Sequence, residues 1–486
     1  MKGKKLFHLL SSLSEEEYKL LHKAVRSPIW NTNEHLHTLY VQLKPFHPDF
    51  NLSDKHYNKI YSKVFKLQGY DDYKLRRLFS EFTKVIEQFL IYLETQDDKK
   101  GRQKQRLLLR ALGRRNVYSY FERNTLQVLE EVKEEPYLDV EHFQSLIGLH
   151  YGIYFHPLTN RHSKKNVHLH HLTESLDSYY VLAKLRIGSE LKNREKMLNI
   201  RYENRLEEMV LGELGAKMTK NSSVYQMYKL VYDLFEEPAK IDAFDQLKRL
   251  FNQNIASLRK PDQFFILHHL INFSARQINS GKTPFYKEAL DLYKTGLSLG
   301  LLLENGKIRE ATYSNIILLG CQAGEFSWVD GFIEQYYSYL KEDIGEDARA
   351  HALGLRYFYE EKFDQAVDQL LNYRFSPAYQ PRVRIIIVRA LLEQFLQDAS
   401  IYSLLQAQCD AFEKYIIRND FLAKPRLEPH LNTMRLIRKF AQLLYDREPE
   451  KMVSQWLVQE LESDKKFISK NWLKAKAGQL AKENSA

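Results

Sequence analysis

The stretch "ALGLRYFYEEKFDQAVDQLL", Ala352–Leu371, carries the reading of the whole chain. Leu353-Gly354 is followed by Tyr357, Phe363 and Ala366. Small residues at Gly354 and Ala366 let two antiparallel helices approach closely, and Tyr357 and Phe363 then fill the space at the turn between them. Leu353 reads as a core position, whose truncation to alanine costs about 2–5 kcal/mol. Similar second-helix patterns lie upstream. "FYKEALDLYKTGL" (Phe285–Leu297) carries Tyr286, Ala289 and Tyr293, and "AGEFSWVDGFIEQYY" (Ala323–Tyr337) repeats the pattern around Phe326 and Val329. Ala289, Val329 and Ala366 are spaced by 40 and 37 residues.

Composition agrees with a chain of helices. The 486 residues include only 19 Gly and 13 Pro, so tight turns are few. Sheet folds need a turn every ~8–12 residues. Hydrophobic residues make up 44% and aromatics 13%, enough for a continuous core. The net charge of +10 is mild over this length and permits an acidic partner without demanding one. Two cysteines, Cys321 and Cys409, form neither a disulfide framework nor a four-thiolate metal site. A reducing, cytoplasmic setting follows. The N-terminal "MKGKKLFHLL" is too short and interrupted for a secretory core, and no segment has the ~18 apolar residues of a membrane span.

Along the chain, Ser14 and Glu17 form a capping box. The clearest helix spans about 71–95, where Leu75, Leu78, Phe79, Phe82, Ile86 and Phe89 share one stripe behind Asp71 and Asp72. Asp97–Arg106 reads as a polar hinge, Pro136 as a helix stop, Asp139 as a cap, and His156–Asn166 as a long exposed loop. Helices over about 167–191 and 193–214 follow. Four segments result: an N-terminal helical segment over 1–96, a middle helical segment over 97–215, degenerate repeats over 216–446, and capping helices over 447–486 in which Trp456 and Trp472 fill the closing layer.

Leu353-Gly354-x-x-Tyr357 with Ala366 resembles the tetratricopeptide pattern. Ala350 stands at the aromatic position, Leu370 at the Phe, and Pro377 falls one residue early. The resemblance covers about a quarter of the chain. It implies an all-α fold, a superhelical stack of antiparallel helix hairpins, and leaves function open. "LDSYYVLAKLR…NRE" (Leu176–Glu195) and "ISKNWLKAK" (Ile468–Lys476) are also similar to uncharacterised bacterial helical-repeat proteins, which implies no activity.

Catalytic motifs are missing. "SGKT" (Ser280–Thr283) has Arg276 where a phosphate loop needs glycine, so it reads as an interhelical turn. His156, His162, His168, His170 and His171 are close in sequence, and His168, His171 and Glu174 share one helical face, but no metalloenzyme motif accompanies them. No metal, no cofactor and no enzymatic activity is expected. A basic run, Lys99, Lys100, Arg102, Lys104, Arg106, Arg110, Arg114 and Arg115, contains no acid. It offers phosphate contacts, with Tyr118, Tyr120 and Phe121 nearby for stacking, hence the alternative of a nucleic-acid-associated protein.

The expected function is protein or peptide binding on a concave scaffold surface. Counting first-helix positions from the small crossing residues assigns His269, Asn272, Arg276, His351, Leu355, Phe358, Tyr359, Arg384 and Gln394 to the groove. That blend suits an extended peptide bearing a carboxylate or acidic side chains.

Overall fold

The structure is a computed structural model describing residues 4–67, 69–97, 102–160, 162–163, 166–203, 210–212, 215, 222–236, 240–418 and 424–483. It is all-α. The described strands are two short ones, Leu303–Glu304 and Lys307–Ile308, paired antiparallel across Asn305-Gly306. Both turn residues have positive φ, 50° and 74°, the conformation that an Asn-Gly hairpin turn requires.

Two compact units divide the chain: residues 1–135 with 145–175, and residues 136–144 with 176–486. The first holds α1 (Lys4–Ser11), α2 (Glu15–Arg26), α3 (Glu34–Leu43), α4 (Asp54–Phe65), α5 (Asp72–Asp97), α6 (Arg102–Arg114) and α7 (Tyr118–Lys133). The division then falls within α8 (Val140–Tyr154) and α9 (His168–Leu198). Helices α1 to α5 close around Leu10, Leu21, Leu39, Phe82 and Ile86. Phe121, Leu129, Val132, Leu149 and Ile153 form a second, smaller core. Local signals act as the residue types dictate. The Glu17 N–H donates to Ser14 Oγ, and the Ser14 N–H donates to the Glu17 carboxylate. Asp71 accepts from the Lys74 N–H, and Asp139 from the His142 N–H. Helix α9 corrects the expected break near 192: no Gly or Pro lies between Ser189 and Leu198, and the helix runs on to Leu198. Of the hinge expected over Asp97–Arg106, Asp97 ends α5 and Arg102–Arg106 already belong to α6, with 98–101 outside the described residues.

The second unit continues through α10 (Ser223–Asp233), α11 (Ile241–Asn254), α12 (Lys260–Asn279), α13 (Phe285–Ser298), α14 (Glu310–Gln322), α15 (Phe326–Tyr336), α16 (Gly345–Tyr359), α17 (Phe363–Asn372), α18 (Gln380–Gln397), α19 (Tyr402–Arg418), α20 (Lys424–Tyr445), α21 (Glu450–Glu462) and α22 (Lys470–Glu483). From α10 onward each helix packs on the next. Helices α14, α16, α18 and α20 also pack in succession on one another, skipping the helix between. One apolar core runs through these layers.

A single turn design recurs. Gly281, Gly324, Glu361 and Arg447 each adopt a left-handed conformation, with φ of 90°, 74°, 62° and 59°. The following N–H returns to a carbonyl five residues back: Lys282 to Gln277, Glu325 to Gly320, Lys362 to Tyr357, Glu448 to Leu443, all within 2.9–3.1 Å. These are Schellman closures, which satisfy carbonyls left open at a helix end. "SGKT" is the first of them and is a turn, its Ser280 capping α12.

Neighbouring helices approach closely at Gly296, Gly320 and Gly354. A Cβ on Gly296 would sit 2.8 Å from the Leu267 side chain, one on Gly354 would sit 2.5 Å from that of Leu370, and one on Gly320 would collide with Val329. Gly354→Ala is therefore expected to cost about 1–3 kcal/mol by overpacking. Urea unfolding checks this, and Leu370→Ala in the same chain should recover much of the loss; a Gly354→Ala midpoint equal to wild type contradicts the crossing. Leu353 itself is only partly buried, so its truncation falls short of the 2–5 kcal/mol of a full core residue.

The segment 136–144 is held by buried charge. Arg259 reaches Asp139 at 3.0 Å and Glu141 at 2.6 Å. Nearby, Asp262 is 3% exposed, accepts from the Tyr228 hydroxyl, and pairs with Arg186 at 2.8 Å. Burial pushes the Asp262 carboxyl above its usual range, with the neighbouring Asp139 adding to the effect against Tyr228 and Arg186.

Candidate functional site

Helix α18 is apolar nearly all round, with Val383, Ile386, Ile387, Val388, Ala390, Leu391 and Leu392 buried. A helix of that kind is an interior element. Its two charges near the C-terminal end, Arg389 and Glu393, are therefore interior too, at 9% and 8% exposure. They lie one turn apart and face a matching turn of α22. The Trp472 Nε1 donates to Glu393 Oε1 at 2.8 Å, and the Lys476 ammonium pairs with Glu393 Oε2 at 2.6 Å. The Arg389 guanidinium lies 4.3 Å from the Phe358 ring centre and 4.8 Å from that of Trp472. Both are cation–π contacts, made with two rings inclined at 64° to each other.

Over this cluster opens a cleft of about 1040 Å³. Its aromatic lining is Phe358, Tyr359, Phe363, Phe395, Tyr445 and Trp472, and Glu361, Glu393, Glu450, Arg447 and Lys476 supply charge. The ends of α16, α18 and α20 and the starts of α17 and α21 meet here, which is why two of the left-handed turn residues, Glu361 and Arg447, are in the lining. A second hollow of about 420 Å³ shares Glu361, Phe363 and Gln397 with it and adds Asp364, Gln394 and Ile401.

The nine groove residues named from sequence are distributed as follows. Phe358 and Tyr359 line the large cleft, and Gln394 lines the smaller one while donating to Asp364. Leu355 is partly buried against the core. Arg384 bonds Gln380 and stacks on Tyr415 at 4.8 Å. Arg276 donates to the Leu234 carbonyl at 3.0 Å and covers Phe235 and Phe273. Asn272 bonds His268. His269 is 1% exposed, edge-on to Phe265 and Phe235, with Glu190 at 3.4 Å. His351 packs on Tyr379 beside Glu310 and Arg382. The structure thus groups three of the nine around the clefts and spreads the other six along the interior and flanks of the unit.

Burial first, then the Arg382 charge, lowers His351 to about 4 against an ordinary 6.5. At neutral pH both folded and unfolded states hold it neutral. On acidification the unfolded chain takes up the proton first, so stability falls as pH drops from 6.5 toward 4. The group's share is roughly 3 kcal/mol. Unfolding midpoints of wild type and His351→Gln should converge across that window; parallel profiles count against it.

Other sequence features resolve locally. Cys321 and Cys409 are buried at 4% and 0% exposure, and burial pushes both thiols up to about 12. Of the expected face, His171 meets Glu174 at 3.1 Å and lies 5.3 Å, ring centre to ring centre, from the buried His150, which His168 meets at 3.1 Å. His156 stacks on Phe121. Among the described residues no group of three or more His, Cys, Asp or Glu is set to hold a metal ion, and no helix is long and apolar enough to cross a membrane.

In the basic run, Lys99 and Lys100 and the Arg102 side chain are outside the described residues. Lys104, Arg106, Arg110, Arg114 and Arg115 are exposed. Lys104 donates to Gln96, Arg106 to Ser145, and Arg115 to the Ala111 carbonyl. Tyr118 bonds Glu122, Tyr120 is exposed beside Arg123, and Phe121 is core.

No protein-family model matches the chain, and neither does a curated protein or a solved structure.

Proposed function

We propose that the chain is a non-catalytic scaffold, a degenerate tetratricopeptide-like stack of helix hairpins that holds a peptide or protein segment on its concave side. The supporting observation is the cleft at the ends of α16, α18 and α20, about 1040 Å³ in volume and walled by six aromatic rings. A hollow of that size, in which six aromatic rings stand among seven polar or charged side chains, suits a side-chain anchor with polar groups around it. The free, buried thiols of Cys321 and Cys409 suit a reducing, cytoplasmic setting. The test is affinity capture from the native cell with the full-length chain as bait. Partners identified by mass spectrometry should be lost with Tyr359→Ala and with Phe363→Ala. The same partners retained by both variants would remove the cleft from the reading.

A second reading keeps nucleic acid as partner of the run 99–115. It is favoured by one observation: among the described residues, no carboxylate pairs with Lys104, Arg106, Arg110, Arg114 or Arg115. Phosphate binding there predicts a gel shift of labelled single-stranded RNA that weakens steeply with salt and is lost in Arg110→Glu/Arg114→Glu. No shift at low salt ends it.

A further inference from the structure

Helix α6 contains no acid, and within the first unit it lies beside a part of α8 that sequence order sets far away. Leu109 is buried, and Leu112 packs on the same small core as Phe121, Leu149 and Ile153. Two contacts set α6 and α8 side by side, running in the same direction. Arg106 donates to the Ser145 hydroxyl, and a Cβ on Gly113 would lie 3.9 Å from the His156 ring. Successive helical residues are turned by about 100°, so positions four apart drift by about 40°. Going round α6 from the core, Arg106 faces α8, and Arg110 and Arg114 follow on the outer flank, one per turn. Going round α8 from Leu149 and Ile153, Ser145 faces α6, and Gly148, Tyr151 and Phe155 follow on its outer flank. The two stripes therefore border one furrow. It is open at Gly148, where an added Cβ would meet nothing within 4 Å. Each bank presents one kind of group. Arg106, Arg110 and Arg114 are exposed, and among the described residues no carboxylate pairs with them. Tyr151 is 56% exposed and Phe155 44%, with ring centres 4.5 Å apart. The aromatics of α7 differ: Phe121 is core, and Tyr118 is tied to Glu122 and Thr159.

We infer that this furrow is a single-stranded nucleic-acid site, in which Arg106, Arg110 and Arg114 follow the phosphates while Tyr151 and Phe155 stack bases. A row of unpaired cations beside flat, outward rings is the pairing that a single strand uses, because its backbone is anionic and its bases are open. A duplex keeps its bases stacked inside and offers the two rings nothing. A lipid surface fits less well. One turn past the exposed Leu107 and Leu108 come Arg110, Ala111 and the core-packed Leu112, so α6 lacks a continuous apolar face. An acidic peptide would use the arginines and leave the rings without a role. The inference rests on the second reading above and moves its stacking residues from α7 to α8.

The experiment is fluorescence anisotropy of the full-length chain with labelled oligouridine, oligothymidine and an RNA duplex of equal length, over a range of salt. Polyglutamate and phosphatidylserine–phosphatidylcholine vesicles serve as the other anionic probes. A single strand should bind roughly tenfold or more tighter than the duplex, and the tighter of the two strands names the sugar. Tyr151→Ala/Phe155→Ala should weaken single-strand binding by roughly tenfold or more and keep the wild-type salt slope. Arg110→Gln/Arg114→Gln should instead lower that slope by roughly 0.7 for each phosphate contact removed. Tyr151→Trp should retain binding and add tryptophan emission that the strand quenches. Circular dichroism and melting identify any variant that misfolds, in which case the comparison of single strand with duplex on wild type decides. A duplex bound as tightly as the strands, or an alanine pair that binds at wild-type strength, overturns the stacking inference and leaves the basic run as a phosphate site. No binding of any of the three nucleic acids at low salt, or binding of polyglutamate or vesicles alone, overturns both.

Discussion

Glu393→Ala should lower the stability of the unit that contains it by about 3–5 kcal/mol, the range for removing one partner of a buried ion pair. The Glu393 side chain is 11% exposed and that of Lys476 14%, so solvent replaces little of what is lost. Two groups lose their partner at once, the Lys476 ammonium and the Trp472 N–H, while the Arg389 guanidinium one turn away has no paired carboxylate of its own among the described residues. Glu393→Gln keeps an acceptor for Trp472 but not the charge, and should fall between wild type and alanine. Lys476→Met in the alanine background should recover part of the loss, because it removes one of the stranded cations. Urea unfolding followed by circular dichroism measures all four. An alanine penalty below about 1 kcal/mol would place the pair in solvent rather than in the interior.

Asp262→Ala carries a comparable penalty, about 3–5 kcal/mol, from a different arrangement. Here the carboxylate is the anion for Arg186 on α9 and the acceptor for the Tyr228 hydroxyl on α10, while the neighbouring Asp139, itself held by Arg259, opposes its charge. Asp262→Asn retains an acceptor for Tyr228 and should cost less. The pH dependence has a definite sign. Because the folded carboxyl titrates above its usual range, its contribution is complete at low pH and declines as pH rises through the folded value. The asparagine variant lacks that decline, so its deficit relative to wild type should narrow with rising pH. A deficit that widens instead would mean Arg186 outweighs burial at this site.

Most of the helices could be read from residue order because their causes are local. The stripe of α5, the Ser14–Glu17 box and the Asp139 cap need only neighbours within a turn or two. Gly354 and Ala366 signalled a close crossing because only small residues fit one, and the contact with Leu370 bears out that geometry. The short hairpin at 303–308 was legible in principle through Asn305-Gly306 but passes unnoticed where the described residues hold no other strand. The cleft was less visible. Arg389 and Glu393, four residues apart on a helix, have the spacing of an ordinary solvated surface pair. Only the burial of α18 on every side makes them interior, and that depends on helices contributed by more than a hundred residues of chain. Trp472 was expected to close the last layer; it also donates to Glu393 and stacks on Arg389. Counting groove positions from the crossing residue placed His269 and His351 on a lining face, whereas His269 is sealed among aromatic rings and His351 is packed beside Tyr379.

The glycine crossings bear on how this chain can be rebuilt. Gly296 abuts Leu267, Gly320 abuts Val329, and Gly354 abuts Leu370, each couple joining two neighbouring helices. Neither member of a couple tolerates exchange alone: enlarging the glycine collides, and shrinking its opposite number opens a void. A hairpin transplanted into another helical array should therefore travel with both members, and libraries that randomise one while holding the other constant should return almost only the parental residue.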